Sequence, residues 1–158
     1  MNYNSYIQAD NIRDDEKIKF VFVYGSLKKG FSNHHIIEQA KFYGTVFTLK
    51  KYAMFKEKNA NFPYILNISD DKYHHIIGEL YAITDRKLLQ QLDKFEDAPD
   101  YYIREVIDVK SQNKTMQAFT YFLKDDFIPK EQSALKEWKE DDDYYLNQFN
   151  HYYSKATA

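Results

Sequence analysis

Short apolar runs and alternating apolar and polar positions predict several β-strands in this chain. The strand-like segments are residues 18–24, 44–57, 75–83, 101–110 and 115–123. The first is a short run rich in Val and Phe, which is typical of a strand buried on both faces. The second alternates only in part and predicts one or two strands. Gly78, inside the third, marks a bulge or a close backbone approach. The last two flank a polar turn and predict a hairpin.

Three other segments have helical spacing. Residues 32–42 predict a short helix with Ser32 or Asn33 as its N-cap, and residues 84–96 predict a second helix that Thr84 caps. A third helix is predicted after Pro129, because apolar residues there recur at helical intervals. The residues that could form its docking stripe are Leu135, Trp138, Tyr145 and Phe149.

The order of these elements, β-α-β-β-α-β-β-α, predicts the fold class. It lacks regular βαβ alternation, so a doubly wound parallel sheet is not expected. A mixed or antiparallel sheet with flanking helices, class α+β, fits the order better. We expect a loose polar lead-in over residues 1–16, one domain over residues 17–128 and a helical extension over residues 129–158.

Composition removes several function classes. The net charge is −2 and the pI is about 6.2, so the chain lacks the concentrated basic surface of a nucleic-acid binder. It has no cysteine, which excludes a disulfide framework and a thiolate nucleophile. Its histidines include two adjacent pairs, a poor spacing for ligands, so no metal site is expected. No apolar run is long enough to span a membrane, and a soluble cytoplasmic protein is expected.

One carboxylate of the second predicted helix projects with its apolar residues. At about 100° per residue, the core-facing arc is formed by Leu88, Leu89, Leu92 and Phe95. Glu96 falls inside this arc, whereas Asp93 and Asp97 fall outside it. Burial raises the pKa of a glutamate, and a carboxyl group tuned toward neutrality suits general acid–base work. Alternatively the helix ends near Asp97, and a glutamate in its last turn simply reaches solvent.

The loop "YGSLKKG" follows the first strand. A strand that enters a glycine loop and then a helix can direct backbone N–H groups at an anion. The loop matches neither the Walker motif nor GxGxxG nor the GxSxG elbow, so Ser26 has no signature of a nucleophile. An ordinary turn is the alternative. Tyr101, Tyr102 and Tyr121 lie on predicted strands, where core packing is the alternative to lining a pocket.

In their order along the chain, these motifs are more specific than each is alone. The stretches "FVYGSLKKGFSNHH", "GELYAI", "LLQQLDKFEDAPDYYIREVIDV" and "AFTYFL" resemble the gamma-glutamylcyclotransferase-like family, and are closest to its gamma-glutamylamine cyclotransferase branch. The resemblance covers about residues 18–124. It implies a small mixed α+β barrel with flanking helices, to which the C-terminal helix would be an addition.

The resemblance also implies an activity. The α-amine of a γ-glutamyl group attacks its own γ-carbonyl, which closes 5-oxoproline and releases an amine without a metal or cofactor. Glu96 matches the family's catalytic glutamate and would act as general acid and base. The residues that match substrate-binding positions are Tyr24, Gly25, Ser26, Leu27, Tyr102 and Tyr121. Arg104 could pair with a carboxylate or only brace the barrel.

This sequence also departs from the family pattern, and other functions stay open. Asp97 stands where relatives usually have Gly, at a left-handed helix cap. The C-terminal helix could cover the pocket mouth, extend the core or form a homodimer. A non-catalytic binding module on the same fold is the alternative function, and a γ-glutamyl hydrolase or acyl transferase is a third. The expected partner is a small γ-glutamyl molecule, whose leaving amine the sequence does not identify.

Overall fold

The computed structural model describes residues 17–124, 128–129 and 132–140. Within these ranges, the chain forms six β-strands, one α-helix of nine residues and one short 3-10 turn. In chain order the elements are β1 (Phe20–Val23), the 3-10 turn (His34–Ile36), β2 (Lys41–Lys56), β3 (Pro63–Ser69), β4 (His74–Ala82), α1 (Lys87–Phe95), β5 (Tyr102–Ser111) and β6 (Lys114–Leu123). None of the described helices has the length and hydropathy of a membrane-spanning segment.

Five strands close into a barrel in the order β2-β4-β1-β6-β5, and β5 pairs back onto β2. The β1–β6 pair is parallel and the other pairs are antiparallel, so the predicted mixed α+β barrel is confirmed. The 16-residue β2 pairs with three strands, β3, β4 and β5. Its register with β4 shifts between Phe47 and Lys51, and such irregularities bend a strand enough to close a barrel.

Strand β1 is buried on both of its faces, as the apolar run predicted. Val21 and Val23 pack in one cluster with Leu92 of α1, whereas Phe22 packs in a second cluster with Leu80 of β4. Alternate residues of a strand point to opposite faces, so β1 separates the two halves of the core. The end of β1 is therefore held rigidly from both sides where the glycine loop begins.

The close approach predicted at Gly78 is confirmed. A β-carbon there would lie 2.5 Å from the Val23 carbonyl oxygen and 2.6 Å from atoms of the Phe22 ring. Both distances are well below van der Waals contact. Gly78 thus allows β4 to lie against the end of β1.

The local predictions were wrong at two helices. The helix predicted over residues 32–42 is only the three-residue 3-10 turn, because β2 begins at Lys41 and its pairing with β4 competes for the chain. The Asn33 side chain does not cap that turn. Helix α1 begins at Lys87 rather than beside Thr84, and the Lys87 N–H donates to Asp85 Oδ1 at 2.9 Å.

Residues 132–140 are irregular rather than helical, so the predicted C-terminal helix is wrong over this stretch. The Leu135 N–H donates to the Met54 carbonyl, and the Ile77 N–H donates to the Lys136 carbonyl, both at 2.8 Å. Pairing with barrel strands therefore overrides the helical spacing. The other two residues of the predicted stripe, Tyr145 and Phe149, the homodimer proposed for that helix, and the lead-in over 1–16 lie outside the described residues.

Candidate active site

A cavity of about 320 Å³ opens where the end of β1 meets the C-terminal end of α1. Every site residue predicted from the sequence lines it, although these residues come from separate parts of the chain. The complete lining is Phe22, Val23, Tyr24, Gly25, Ser26, Leu27, Asn33, Phe62, Pro63, Phe95, Glu96, Asp97, Tyr101, Tyr102 and Tyr121. Aromatic side chains form much of its wall, and Glu96 and Asp97 are the acidic residues in it.

The backbone at the end of α1 sets the position of Glu96. Asp97 adopts φ 52°, the left-handed conformation predicted for this cap. The Asp97 N–H donates to the Lys94 carbonyl at 3.2 Å, and the Ala98 N–H donates to the Asp93 carbonyl at 2.8 Å. This pair of bonds is a Schellman motif, which satisfies the last carbonyl groups of the helix. Glu96 is the C-cap residue of that motif, so its backbone is held on both sides.

The Glu96 carboxylate is partly buried and has no hydrogen-bond or ion-pair partner among the described residues. Burial raises the pKa of Glu96 from 4.5 to about 7. Burial causes this shift, and no positive charge among the described residues opposes it. A carboxyl group of this kind can both accept and donate a proton near neutral pH.

The arc that predicted Glu96 was only partly correct. Leu89 and Leu92 are buried in the core and Leu88 packs against it. Phe95, predicted to face the core, is 40% exposed and lines the cavity instead. The helix ends at Phe95, where regular spacing of about 100° per residue no longer determines direction.

Three buried tyrosines surround Glu96. Tyr24, Tyr102 and Tyr121 are 8%, 5% and 3% exposed. Burial is the main reason that the pKa of each phenol is raised, and the negative charge of Glu96 raises it further in each case. All three therefore stay neutral at physiological pH and share the electrostatic environment of Glu96. The Tyr24 hydroxyl donates to the Tyr121 carbonyl at 2.7 Å.

Asp93, which sequence reasoning did not select, organises the same wall. The Tyr121 hydroxyl donates to Asp93 Oδ1 at 2.6 Å, and Arg104 Nη1 lies 3.1 Å from Asp93 Oδ2. The Arg104 guanidinium also lies 4.8 Å from the centre of the Phe119 ring. Of the two roles considered for Arg104, the structure therefore has it pairing with a carboxylate.

The glycine loop forms a compact turn at the cavity wall. The Lys28 N–H donates to the Gly25 carbonyl at 3.1 Å, and Asn33 donates to Ser26 through both its backbone N–H (2.9 Å) and its side-chain amide (2.8 Å). The backbone N–H groups of Ser26 and Leu27 have no acceptor within the part of the chain that the structure describes. They are available to an anionic ligand, although the binding role of the loop stays a prediction.

The structural reason for Gly25 is a neighbour within the protein. A β-carbon at Gly25 would lie 2.9 Å from Pro63 Cγ, which is too close for an ordinary contact. Phe62 and Pro63, at the start of β3, were both missed by sequence reasoning. A Phe-Pro pair before an apolar run is the signal in the sequence that could have indicated them, but it points to the cavity only once β3 has been predicted.

The irregular segment of residues 132–140 contacts the loop from outside. The buried Lys28 ammonium donates to the Trp138 carbonyl, and the Ser32 hydroxyl donates to Glu140 Oε1 at 2.8 Å. Burial lowers the pKa of Lys28, and three nearby glutamates oppose that shift. The loop thus lies between the barrel and this segment, and both hold its conformation.

Comparison with known proteins identifies the family. The family described as "Gamma-glutamyl cyclotransferase, AIG2-like" matches residues 21–145, most of the chain. This chain belongs to that family. The predicted family and its cyclotransferase class of enzyme are thereby confirmed.

Individual relatives agree with this result. A Methanocaldococcus jannaschii protein, provisionally named a gamma-glutamylcyclotransferase, is 39% identical over 107 residues, 66% of this chain and 84% of the relative. Gamma-glutamylaminecyclotransferase A of Danio rerio is 37% identical over 109 residues, 64% of this chain and 66% of the relative. The crystal structure of an AIG2-like protein from Mus musculus superposes with a TM-score of 0.71 at 25% identity, covering 80% of this chain and 92% of the mouse chain.

Proposed function

We propose that this protein cyclises the γ-glutamyl group of a γ-glutamyl amide to 5-oxoproline and releases the amine, with Glu96 as general acid and base. One observation carries the proposal. A partly buried carboxyl group that has no partner among the described residues, and whose pKa is about 7, lies in the same cavity as the glycine loop. The names of the relatives, gamma-glutamylaminecyclotransferases among them, support the same reaction class.

The proton balance of this reaction requires a group that exchanges protons in both directions. Ionised Glu96 takes a proton from the substrate α-ammonium, and the freed amine attacks the γ-carbonyl carbon. A C–N bond forms, and the former carbonyl oxygen becomes an oxyanion. Protonated Glu96 then gives its proton to the leaving nitrogen while the original C–N bond breaks. Repeating the relay for the second proton yields the lactam N–H and a leaving ammonium group, and returns Glu96 to its ionised form.

The remaining cavity residues bind and orient the substrate in this proposal. The free N–H groups of Ser26 and Leu27 stabilise the substrate α-carboxylate or the developing oxyanion. Tyr24, Tyr102 and Tyr121 confine the γ-glutamyl chain in a folded conformation, since attack within one molecule depends mainly on how it is held. The buried aromatic rings of these tyrosines also limit water near the γ-carbonyl, which favours ring closure over hydrolysis.

The test is detection of 5-oxoproline by mass spectrometry from a panel of γ-glutamyl amides. Glu96→Gln should lower turnover by about 10²- to 10⁴-fold, because general acid–base catalysis contributes about that much. The matched control is Glu105→Gln, which changes an exposed glutamate of β5 and should leave turnover unchanged. Full activity of Glu96→Gln would overturn the role of this residue.

The same panel separates the alternative functions. Free glutamate in place of 5-oxoproline would identify a hydrolase. Thermal stabilisation by panel compounds without any turnover would identify a binding module. Product from some amides and not others would identify the class of leaving amine.

A further inference from the structure

The hydrogen bonds around Tyr121 fix the direction of its hydroxyl group. A phenol has one proton to donate, and Tyr121 gives it to Asp93 Oδ1 at 2.6 Å. Only lone pairs of the Tyr121 oxygen then remain for a ligand. The Tyr121 carbonyl meanwhile accepts the Tyr24 hydroxyl at 2.7 Å. Backbone and side chain of this cavity residue are thus both restrained.

The ion pair of Asp93 excludes the reverse arrangement, in which Asp93 would donate a hydrogen bond to the Tyr121 hydroxyl. Its second carboxylate oxygen lies 3.1 Å from Arg104 Nη1, and an ionised carboxylate only accepts hydrogen bonds. Arg104 is restrained in turn by the Phe119 ring, 4.8 Å from its guanidinium. The chain Arg104–Asp93–Tyr121 therefore presents a hydrogen-bond acceptor, and no donor, at its cavity end.

We propose that Asp93 is a positioning residue, anchored by Arg104, that makes the Tyr121 hydroxyl oxygen an acceptor for the α-ammonium group of the substrate. This inference rests on the proposed function. An α-ammonium group has three N–H donors, and proton transfer to Glu96 uses one at a time. A second acceptor beside Glu96 holds the nitrogen while that transfer occurs. Glu96 and Tyr121 line the same cavity.

The consequence is a division of the cavity by hydrogen-bond polarity. The loop offers N–H donors, which suit the α-carboxylate, while Glu96 and Tyr121 offer acceptors, which suit the α-ammonium. A substrate with its α-ammonium and α-carboxylate groups exchanged would place donors against the N–H groups of the loop and acceptors against Glu96 and Tyr121. Asp93 therefore contributes to selection of a free α-amine without contacting the substrate.

The experiment compares two unreactive ligands, L-glutamate and glutarate, which differ by the α-ammonium group. Isothermal titration should give wild type a preference for L-glutamate of about tenfold to a hundredfold, as expected for a hydrogen bond to a charged group. Asp93→Asn supplies an amide donor that can reverse the Tyr121 hydroxyl. It should therefore reduce the preference about tenfold, with glutarate affinity nearly unchanged. A purely structural role would weaken both ligands equally.

Two further variants keep the test decisive. Tyr121→Phe removes the acceptor and should reduce the preference similarly, even if Asp93→Asn fails to fold. Asp108→Asn, at an exposed position of β5, is the matched control and should keep the wild-type preference for L-glutamate over glutarate. An unchanged preference in Tyr121→Phe would overturn the inference. Since the readout is binding, 5-oxoproline formation by wild type would leave the proposed function standing in that case. Conversely, full turnover by Glu96→Gln would overturn the Glu96 role and leave the preference intact.

Discussion

Asp93 and Glu96 are carboxylates three residues apart at the same end of α1, and the fold treats them in opposite ways. Asp93 accepts from Tyr121 and pairs with Arg104, whereas Glu96 has no partner among the described residues. Asp93 is engaged in a hydrogen bond and an ion pair, whereas Glu96 has a pKa of about 7 and can exchange protons near neutral pH. The difference teaches that contacts with distant strands, rather than position on the helix, decide which carboxylate is left open to exchange protons with a ligand.

The most direct test of this comparison is the pH dependence of the activity. If Glu96 is the base, kcat/KM should decrease as the pH is lowered below the Glu96 pKa of about 7. The expected loss approaches about tenfold per pH unit well below the pKa, or about fiftyfold between about pH 7 and pH 5, because Glu96 is half ionised at its pKa. Initial rates of 5-oxoproline release across this range, with the folded state checked by circular dichroism, measure it. A flat profile over the same range would assign the proton transfer to another group.

Stability should respond to the two carboxylates with opposite signs. Because the pKa of Glu96 is about 7 in the folded protein and 4.5 for an unperturbed glutamate, the folded state binds more protons between these values. The wild-type free energy of unfolding therefore decreases as pH rises through that window. At about pH 8, Glu96→Gln should be more stable than wild type by about 1–3 kcal/mol, an advantage that vanishes near about pH 4.

Asp93→Asn should destabilise the protein at about pH 8 by about 1–2 kcal/mol, because it leaves a partly buried guanidinium without its partner. Urea denaturation of both variants at the alkaline and the acidic pH measures the contrast. Two shifts of the same sign under alkaline conditions would show that the carboxylates do not differ as described.

The smallest expected effect concerns the backbone of Asp97, the residue that follows Glu96 at the end of α1. Asp97 has φ 52°, which costs a non-glycine residue about 1 kcal/mol, so Asp97→Gly should stabilise the protein by about 0.5–1 kcal/mol. The Schellman hydrogen bonds should persist, and the acid limb of the rate profile should stay where wild type has it. Thermal unfolding and the same pH profile measure both. A lower stability of the glycine variant would show that the Asp97 side chain contributes a contact.

Sequence patterns were sufficient to select residues that the fold brings to one cavity. The loop from Tyr24 to Leu27 was selected because it is one continuous segment after a strand, and Glu96 was selected from the helical arc, although the helix ends one residue before it. Asp93 could not be selected, although it was correctly placed off the core arc. Its importance comes from Arg104 and Tyr121, and local periodicity does not reveal the register between a helix and two strands.

The same limit explains the missed and incorrect elements. Strand β3 begins with Pro63, and Asn67 interrupts its apolar run, so it carries a weak strand signal. The irregular stretch around Trp138 has helical spacing, and only its hydrogen bonds with Met54 and Ile77 show that it lies along the barrel instead. In each case contacts between distant residues decide the local structure.

The central position of β1 has a consequence for the order of folding. Side-chain hydrogen bonds join β1 and the residue that follows it to β6, across 98 positions for Phe22 and Thr120 and 97 for Tyr24 and Tyr121. Closing such long loops is slow, since much chain entropy is lost before the contacts form. Strand β1, which leads into the glycine loop, pairs with β6 as well as with β4, so its pairing is complete only when β6 has formed. During refolding, pulsed hydrogen exchange should protect the β1 amides no earlier than those of β6, so the cavity at the end of β1 forms only with closure of the barrel.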